Sequence, residues 1–192
     1  MDCRIGLLPL YVVNTIIDMN DDLDIATFSL TREQVGEAGL DPFNVSLRWP
    51  TDVPIERDSL LQLIGFPQSL REIDHGGGNV ICKAWSAHTI IHDCNDREII
   101  TIYDPDESAG TPSLPPLGFN LSGCSGGPAI VHDIVNQRWS PVGLILGGPK
   151  HQGEGIASTF DMIRIRRIEC VGEDGRIKAE RDGWLPQNTI GR

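Results

Sequence analysis

Short apolar runs separated by glycine, proline and acidic turns dominate the chain, and their lengths predict strands. Runs of this kind cover residues 5–17, 25–30, 60–66, 79–92, 97–103, 129–135 and 138–146. They are rich in valine and isoleucine and bounded by turn-forming residues, which is typical of strands. The last four runs form two pairs around the turns Asn95-Asp96 and Asn136-Gln137, and each pair predicts a hairpin. The chain is therefore expected to be mostly β.

Only two segments predict helix. Thr31 with Gln34 three positions later is a capping-box pattern, which indicates the start of a helical turn. Residues 161–168 predict a short closing helix. Residues 36–58 and 104–118 are rich in loop-forming residues, and residues 169–192 read as a polar C-terminal tail.

Composition and charge exclude several function classes. The chain has 192 residues, 40% of them hydrophobic, and a formal net charge of −11. One domain, or two small barrels sharing a core surface, fits this length. The negative charge argues against nucleic acid and against anionic membranes as partners. No uninterrupted apolar run is long enough to span a membrane. No secretory signal is visible, so a cytoplasmic location is expected if Met1 is the true start.

The most informative motif is a glycine-rich turn at residues 120–130. Gly123, Gly126 and Gly127 permit backbone angles that other residues avoid, and an apolar strand follows at once. Such a turn can expose the hydroxyl of Ser125 while the amides of Gly123 and Ser125 converge on one point. A nucleophile beside two amide donors is what acyl transfer through an oxyanion requires.

The segment Gly123-Cys124-Ser125-Gly126-Gly127-Pro128 resembles the nucleophile motif of trypsin-like, chymotrypsin-fold serine peptidases. Residues 22–30 resemble the aspartate segment of that family, with Asp24 at the matching position. Residues 141–148 are similar to the strand that lines the substrate cleft, and residues 155–160 to the next strand. The order and spacing of Asp24 and Ser125 agree with the Ser-His-Asp template.

The resemblance implies an all-β fold with a double Greek-key β-barrel. Residues 1–168 would form the peptidase domain, in which residues 1–58 are the remnant of an incomplete first barrel and residues 59–168 form the second. A short helix would close the domain, and the tail at residues 169–192 would follow it.

The same resemblance implies roles for individual residues. Ser125 would be the nucleophile, Gly123 and Ser125 would form the oxyanion hole, and Asp24 would orient the general base. Phe119 matches the base of the primary substrate pocket, where it would favour apolar or small residues over basic ones. Further substrate-binding positions would be Leu146, Gly147 and Gly148.

Ser125 and Asp24 also have non-catalytic interpretations. Ser125 can be an ordinary turn serine. Asp24 can be a solvated acid, because it ends an acidic segment with Asp18, Asp21 and Asp22. A calcium loop built on those acids lacks the ligand spacing of the known loop motif.

The general base is missing from its expected place. The family order puts a histidine before the aspartate, but no histidine precedes His75 in this chain. We expect that position to fall before Met1. The histidines present are His75, His88, His92, His132 and His151. His88 and His92 share one face of a predicted strand, but no cysteine or acidic cluster accompanies them, so neither a metal nor a cofactor is predicted.

The cysteines give no metal-binding pattern. There are five, at positions 3, 82, 94, 124 and 170. Cys82 and Cys94 could form a disulfide across a hairpin or remain two buried thiols. Cys124 stands where digestive members of the family carry an aspartate that pairs with a newly formed N-terminus, so activation by that route is not expected.

Two hypotheses follow. In the first, the chain is a serine endopeptidase that acts on peptide or protein substrates but is inactive or very slow as given, because no histidine precedes Asp24. In the second, it is a non-catalytic pseudopeptidase that serves as a peptide-binding or scaffold module. The sequence leaves the oligomeric state open.

Overall fold

A computed structural model describes residues 15–37, 53–74, 79–82, 84–102, 122–147 and 162–178. The chain divides into two compact units. The first comprises residues 1–52 together with 169–192, and the second comprises residues 53–168. The C-terminal segment therefore belongs with the N-terminal unit.

The first unit contains a short β-hairpin. Strand β1 (Ile16–Asn20) pairs antiparallel with β2 (Ile25–Phe28). Between them, the Asn20 side-chain oxygen accepts a hydrogen bond from the Leu23 amide at 2.9 Å, which closes the turn. The predicted strand at residues 5–17 lies largely outside the described residues, and β1 itself runs on into the predicted acidic turn.

A capping box opens helix α1 (Arg32–Glu37), as the sequence predicts. The Thr31 hydroxyl accepts a hydrogen bond from the Gln34 amide at 3.2 Å, and the Gln34 side-chain oxygen accepts one from the Thr31 amide at 2.8 Å. These reciprocal bonds satisfy two amides that a helix start leaves without partners.

Residues 169–178 pack against the hairpin of the first unit. Cys170 is buried with Leu23 and Ile25 in a small core. The Ile177 amide donates a hydrogen bond to the Asp18 carboxylate at 2.8 Å, and this bond lowers the pKa of Asp18. The start of the segment read from the sequence as a polar tail is thus part of a folded unit.

The second unit is a closed antiparallel barrel of six strands. Its strands are β3 (Leu60–Gly65), β6 (Trp85–Cys94), β7 (Glu98–Ile102), β8 (Pro128–Asp133), β9 (Arg138–Gly147) and β10 (Met162–Arg167). Around the barrel they follow the order β10-β7-β6-β3-β8-β9. The neighbours β8-β3-β6-β7 run in the order fourth, first, second, third along the chain, which is the order of a Greek key. The prediction of an all-β fold is confirmed as far as a mostly β chain with one closed six-stranded barrel.

Two short strands of the second unit stand outside the barrel. Strand β4 (Arg71–Asp74) pairs with β5 (Asn79–Cys82), and a 3-10 turn at Gln68–Leu70 leads into β4. The predicted strand at residues 79–92 is therefore two strands, because β5 pairs with β4 while β6 pairs with β3 and β7. The two predicted hairpins, β6–β7 and β8–β9, are both present.

Alternating side chains fill the barrel. The buried cluster includes Leu61, Leu63, Ala87, Ile91, Ile99, Ala129, Val131, Val142, Ile163 and Ile165. Successive residues of a strand point to opposite faces, so every second position enters the core. Burial of these apolar side chains is the main source of the barrel's stability.

The prediction of a closing helix at residues 161–168 is wrong. These residues contain strand β10, which pairs with β7 on one side and β9 on the other. Ile163 and Ile165 are fully buried, whereas Met162 before them and Arg164 between them are exposed. This alternation has the period of a strand, and β10 supplies the last pairing that closes the barrel.

Candidate active site

The glycine-rich turn spans residues 122–127 and leads directly into β8. Gly123 and Gly126 have φ angles of 94° and 82°, in the left-handed region that favours glycine. The Gly126 amide donates to the carbonyl of Ile145 at 2.8 Å, and the Ile145 amide donates to the carbonyl of Gly127, also at 2.8 Å. The turn is thus bonded to the end of β9.

Close contacts fix the turn against the end of β3. A Cβ on Gly127 would collide with the carbonyl oxygen of Ile64, and a Cβ on Gly123 would lie 2.9 Å from the amide nitrogen of Gln68. The Gln68 amide also donates to the carbonyl of Ser122 at 2.8 Å. Only glycine at these positions allows the backbone segments to approach this closely.

Cys124 anchors the turn from inside the barrel. Its side chain is only 1% exposed and belongs to the core cluster. A Cβ on Gly65 would lie 2.7 Å from the Cys124 sulfur, so β3 passes directly beneath the thiol. Burial raises the pKa of Cys124 to about 11, although the nearby charge of Arg71 opposes this shift. The thiol is therefore neutral at physiological pH and packs as an apolar group.

Ser125 lies on the opposite side of the turn from Cys124. The residue is exposed, and its hydroxyl donates a hydrogen bond to the carbonyl oxygen of Leu146 at 3.1 Å. Leu146 and Gly147 end strand β9 and are half-buried. The structure therefore brings together Ser125 and two of the residues predicted to bind substrate.

The amides of the turn differ in their partners. Gly126 and Gly127 donate to the carbonyls of Ile145 and Cys124. Within the described segments, the amides of Gly123 and Ser125 donate to no carbonyl. These two are the amides that the sequence predicts for the oxyanion hole, and they have donor capacity for a ligand.

The other predicted site residues lie elsewhere. Asp24 belongs to the first unit, where it ends the turn between β1 and β2 at a φ of 55°. Its amide donates to the carbonyl of Asp21 at 3.3 Å. Phe119 and Gly148 lie outside the described residues, as do His75 and His151.

Two histidines of the barrel share one tryptophan. His132 stacks on Trp139, its cross-strand partner, with ring centroids 4.3 Å apart. The His88 ring is 6.2 Å from the same indole. His92, the predicted companion of His88, is exposed farther along β6. In the described part of the chain, no group of three histidine, cysteine or acidic side chains is placed to hold a metal ion.

Arg71 lies beside the glycine-rich turn, a neighbour that the sequence pattern does not indicate. It opens β4 and is exposed, and its Nη2 would lie 3.1 Å from a Cβ on Gly123. The same nitrogen donates to the carbonyl of Phe66 at 3.4 Å. Arg71 and Gly123 are far apart in sequence, so only the packing of the turn against the segment after β3 brings them together.

No family model matches this chain, and no curated protein matches its sequence. Over the described residues, no helix is long and apolar enough to cross a membrane.

Proposed function

We propose that the chain is a serine endopeptidase of the trypsin-like type whose nucleophile is Ser125. The observation that carries this proposal is the turn at residues 122–127, which exposes Ser125 above the buried side chain of Cys124. The amides of Gly123 and Ser125 supply two donors for a developing oxyanion. Electrostatic stabilisation of this kind is a large part of catalysis in acyl transfer.

The reaction has two steps. The Ser125 oxygen attacks the carbonyl carbon of a peptide bond, its proton passes to a base, and the amine leaves with a proton. Water then cleaves the acyl-enzyme ester and restores the hydroxyl. The sequence resemblance, and no contact of the described residues, assigns the orientation of the base to Asp24; by the same resemblance Phe119 would favour apolar or small residues before the cleaved bond.

The proposal extends to the fold. The six-stranded barrel would be the second of two Greek-key barrels, and residues 1–58 would contribute to the first. The strand order of the barrel and the position of Ser125 in the turn before β8 support this assignment. The substrates would be peptides or proteins that present an extended segment to the end of β9 at Leu146 and Gly147.

A non-catalytic pseudopeptidase is the second candidate, and one observation favours it. The Ser125 hydroxyl donates to the carbonyl oxygen of Leu146, and a carbonyl cannot take up the proton as a general base does. With no histidine before Asp24 in the sequence, we expect hydrolysis by this chain to be very slow. The oxyanion hole and binding alone typically retain roughly 10³–10⁴-fold acceleration over water.

Labelling with a fluorophosphonate probe tests the proposal. We expect slow labelling at Ser125, seen by peptide mapping, that is abolished in Ser125→Ala and retained in Ser122→Ala, the matched serine of the same turn. Labelling that persists in Ser125→Ala would contradict the assignment of the nucleophile. An unlabelled chain that still binds peptides at this turn would favour the pseudopeptidase.

A further inference from the structure

The charge at the candidate active site is opposite to that of the chain. The chain carries a formal net charge of −11, yet a positive group, the guanidinium of Arg71, is among the atoms nearest to a Cβ placed on Gly123. Arg71 is exposed, and no carboxylate of the described residues pairs with it. Its one hydrogen bond among these residues is the long contact to the carbonyl of Phe66.

The position of Arg71 is set by the backbone around it. The 3-10 turn at Gln68–Leu70 ends at Arg71 with an extended φ of −86° and ψ of 130°, which starts β4. The Gln68 amide bonds the carbonyl of Ser122, so this turn and the nucleophile turn are held together. Arg71 also acts on the electrostatics of the turn, since its charge opposes the rise in the pKa of Cys124.

A guanidinium has five donors in a planar fork that suits a carboxylate. We propose that Arg71 is a specificity-determining residue that selects peptides carrying an acidic side chain near the bond presented to Ser125, at a position other than the one directly before that bond. This inference rests on the proposed function, because it assumes that the turn at residues 122–127 receives a peptide.

Binding of paired peptides tests the role of Arg71 without requiring catalysis. Blocked, alanine-rich hexapeptides are prepared with one Glu moved along the sequence, and each is matched by the same peptide with Gln. Their dissociation constants are measured by ¹⁵N NMR on the full chain carrying Ser125→Ala, using the amide of Gly123 as the reporter.

We expect at least one Glu peptide to bind about five-fold more tightly than its Gln partner, which corresponds to one exposed charge pair at contact distance. The preference should disappear in Arg71→Gln, survive in Arg71→Lys, and weaken as salt is added. Arg57→Gln is the matched control, because it removes one exposed positive charge of the same unit that pairs with Asp93.

Equal affinity for every Glu and Gln pair, or a preference that survives Arg71→Gln, would overturn the inference. Failure of all the peptides to shift the Gly123 amide would overturn it as well. Fluorophosphonate labelling of Ser125 reports separately on the proposed function. A preference for Glu peptides without labelling of Ser125 would therefore contradict the peptidase proposal and still support the role of Arg71 in peptide selection.

Discussion

At the scale of single residues, the candidate site depends on two neighbours that point in opposite directions. Cys124 is buried in the barrel core and Ser125 is exposed. The buried thiol fixes the turn in place while the hydroxyl remains available. The glycines around them are needed for conformation at Gly123 and Gly126, and for close approach at Gly127.

Alanine substitutions separate these two requirements. Gly127→Ala would place its Cβ against the carbonyl oxygen of Ile64, and we expect it to lower the free energy of unfolding by about 2 kcal/mol or more. A Cβ at Gly126 would meet no atom within 4 Å, but the residue has a φ of 82°. We therefore expect Gly126→Ala to lower the free energy of unfolding by about 1–2 kcal/mol.

Gly147→Ala is the control for this pair, because its Cβ meets open space at an ordinary φ. We expect it to change the free energy of unfolding by less than about 1 kcal/mol. Urea denaturation followed by circular dichroism measures all three variants. A Gly127→Ala protein as stable as Gly147→Ala would show that the turn does not press against β3.

Because the pKa of Cys124 is raised in the folded state, we expect the free energy of unfolding to decrease at alkaline pH. Burial moves the pKa of the thiol from 9.0 to about 11 in the folded state. Below pH 9 the thiol is neutral in both states. As the pH rises from 9 toward 11, the Cys124 thiol ionises in the unfolded chain but stays neutral in the folded protein. The folded state therefore loses stability over this range.

We therefore expect the urea midpoint of the native chain to fall more steeply between pH 9 and 11 than that of Cys124→Ala. The variant should be less stable at pH 7 because of the cavity it creates. At pH 8, a thiol reagent should modify the half-buried Cys94 well before Cys124 in the folded protein. Rapid modification of Cys124 would contradict its place in the core.

At the scale of elements, β10 shows that tertiary pairing decides whether a short segment forms a helix or a strand. Its sequence Met-Ile-Arg-Ile-Arg-Arg is compatible with a helical turn, since arginine and methionine are good helix formers. The pairing sites offered by β7 and β9 override this propensity, because an unpaired strand on either side would leave backbone groups without partners.

Two substitutions within β10 test its orientation. Ile165 is fully buried, and Ile165→Ala should lower the free energy of unfolding by about 2–5 kcal/mol. Arg164 points outward and contacts Glu98 at 2.7 Å with its side chain 60% exposed, so Arg164→Ala should cost no more than about 1 kcal/mol. Thermal or urea unfolding distinguishes them, and a larger effect at Arg164 would refute the strand.

At the scale of the whole molecule, the two units carry different parts of the proposal. Ser125, the amides proposed to form the oxyanion hole and Arg71 belong to the barrel unit, whereas Asp24 belongs to the other. The role of Asp24 follows from the sequence resemblance alone. The chain carries a formal net charge of −11 with 16 lysines and arginines, and Arg71 is one of these cations, beside the candidate nucleophile turn.

The sequence by itself determined the local features of this protein. The strands β3, β7, β8 and β9, the capping box of α1 and the glycine turn around Ser125 are all readable, because each depends on residues a few positions apart. The position of Ser125 between glycines was enough to suggest a nucleophile before any contact was known.

Only the tertiary structure decided the rest. Closure of the barrel made β10 a strand, pairing with β4 separated β5 from β6, and packing of residues 169–178 gave the start of the tail a place in the first unit. Arg71 lies close to Gly123, and Trp139 lies close to His88, because segments distant in sequence pack together. Such contacts depend on which surfaces meet when the chain folds, and no local pattern of residues encodes that meeting.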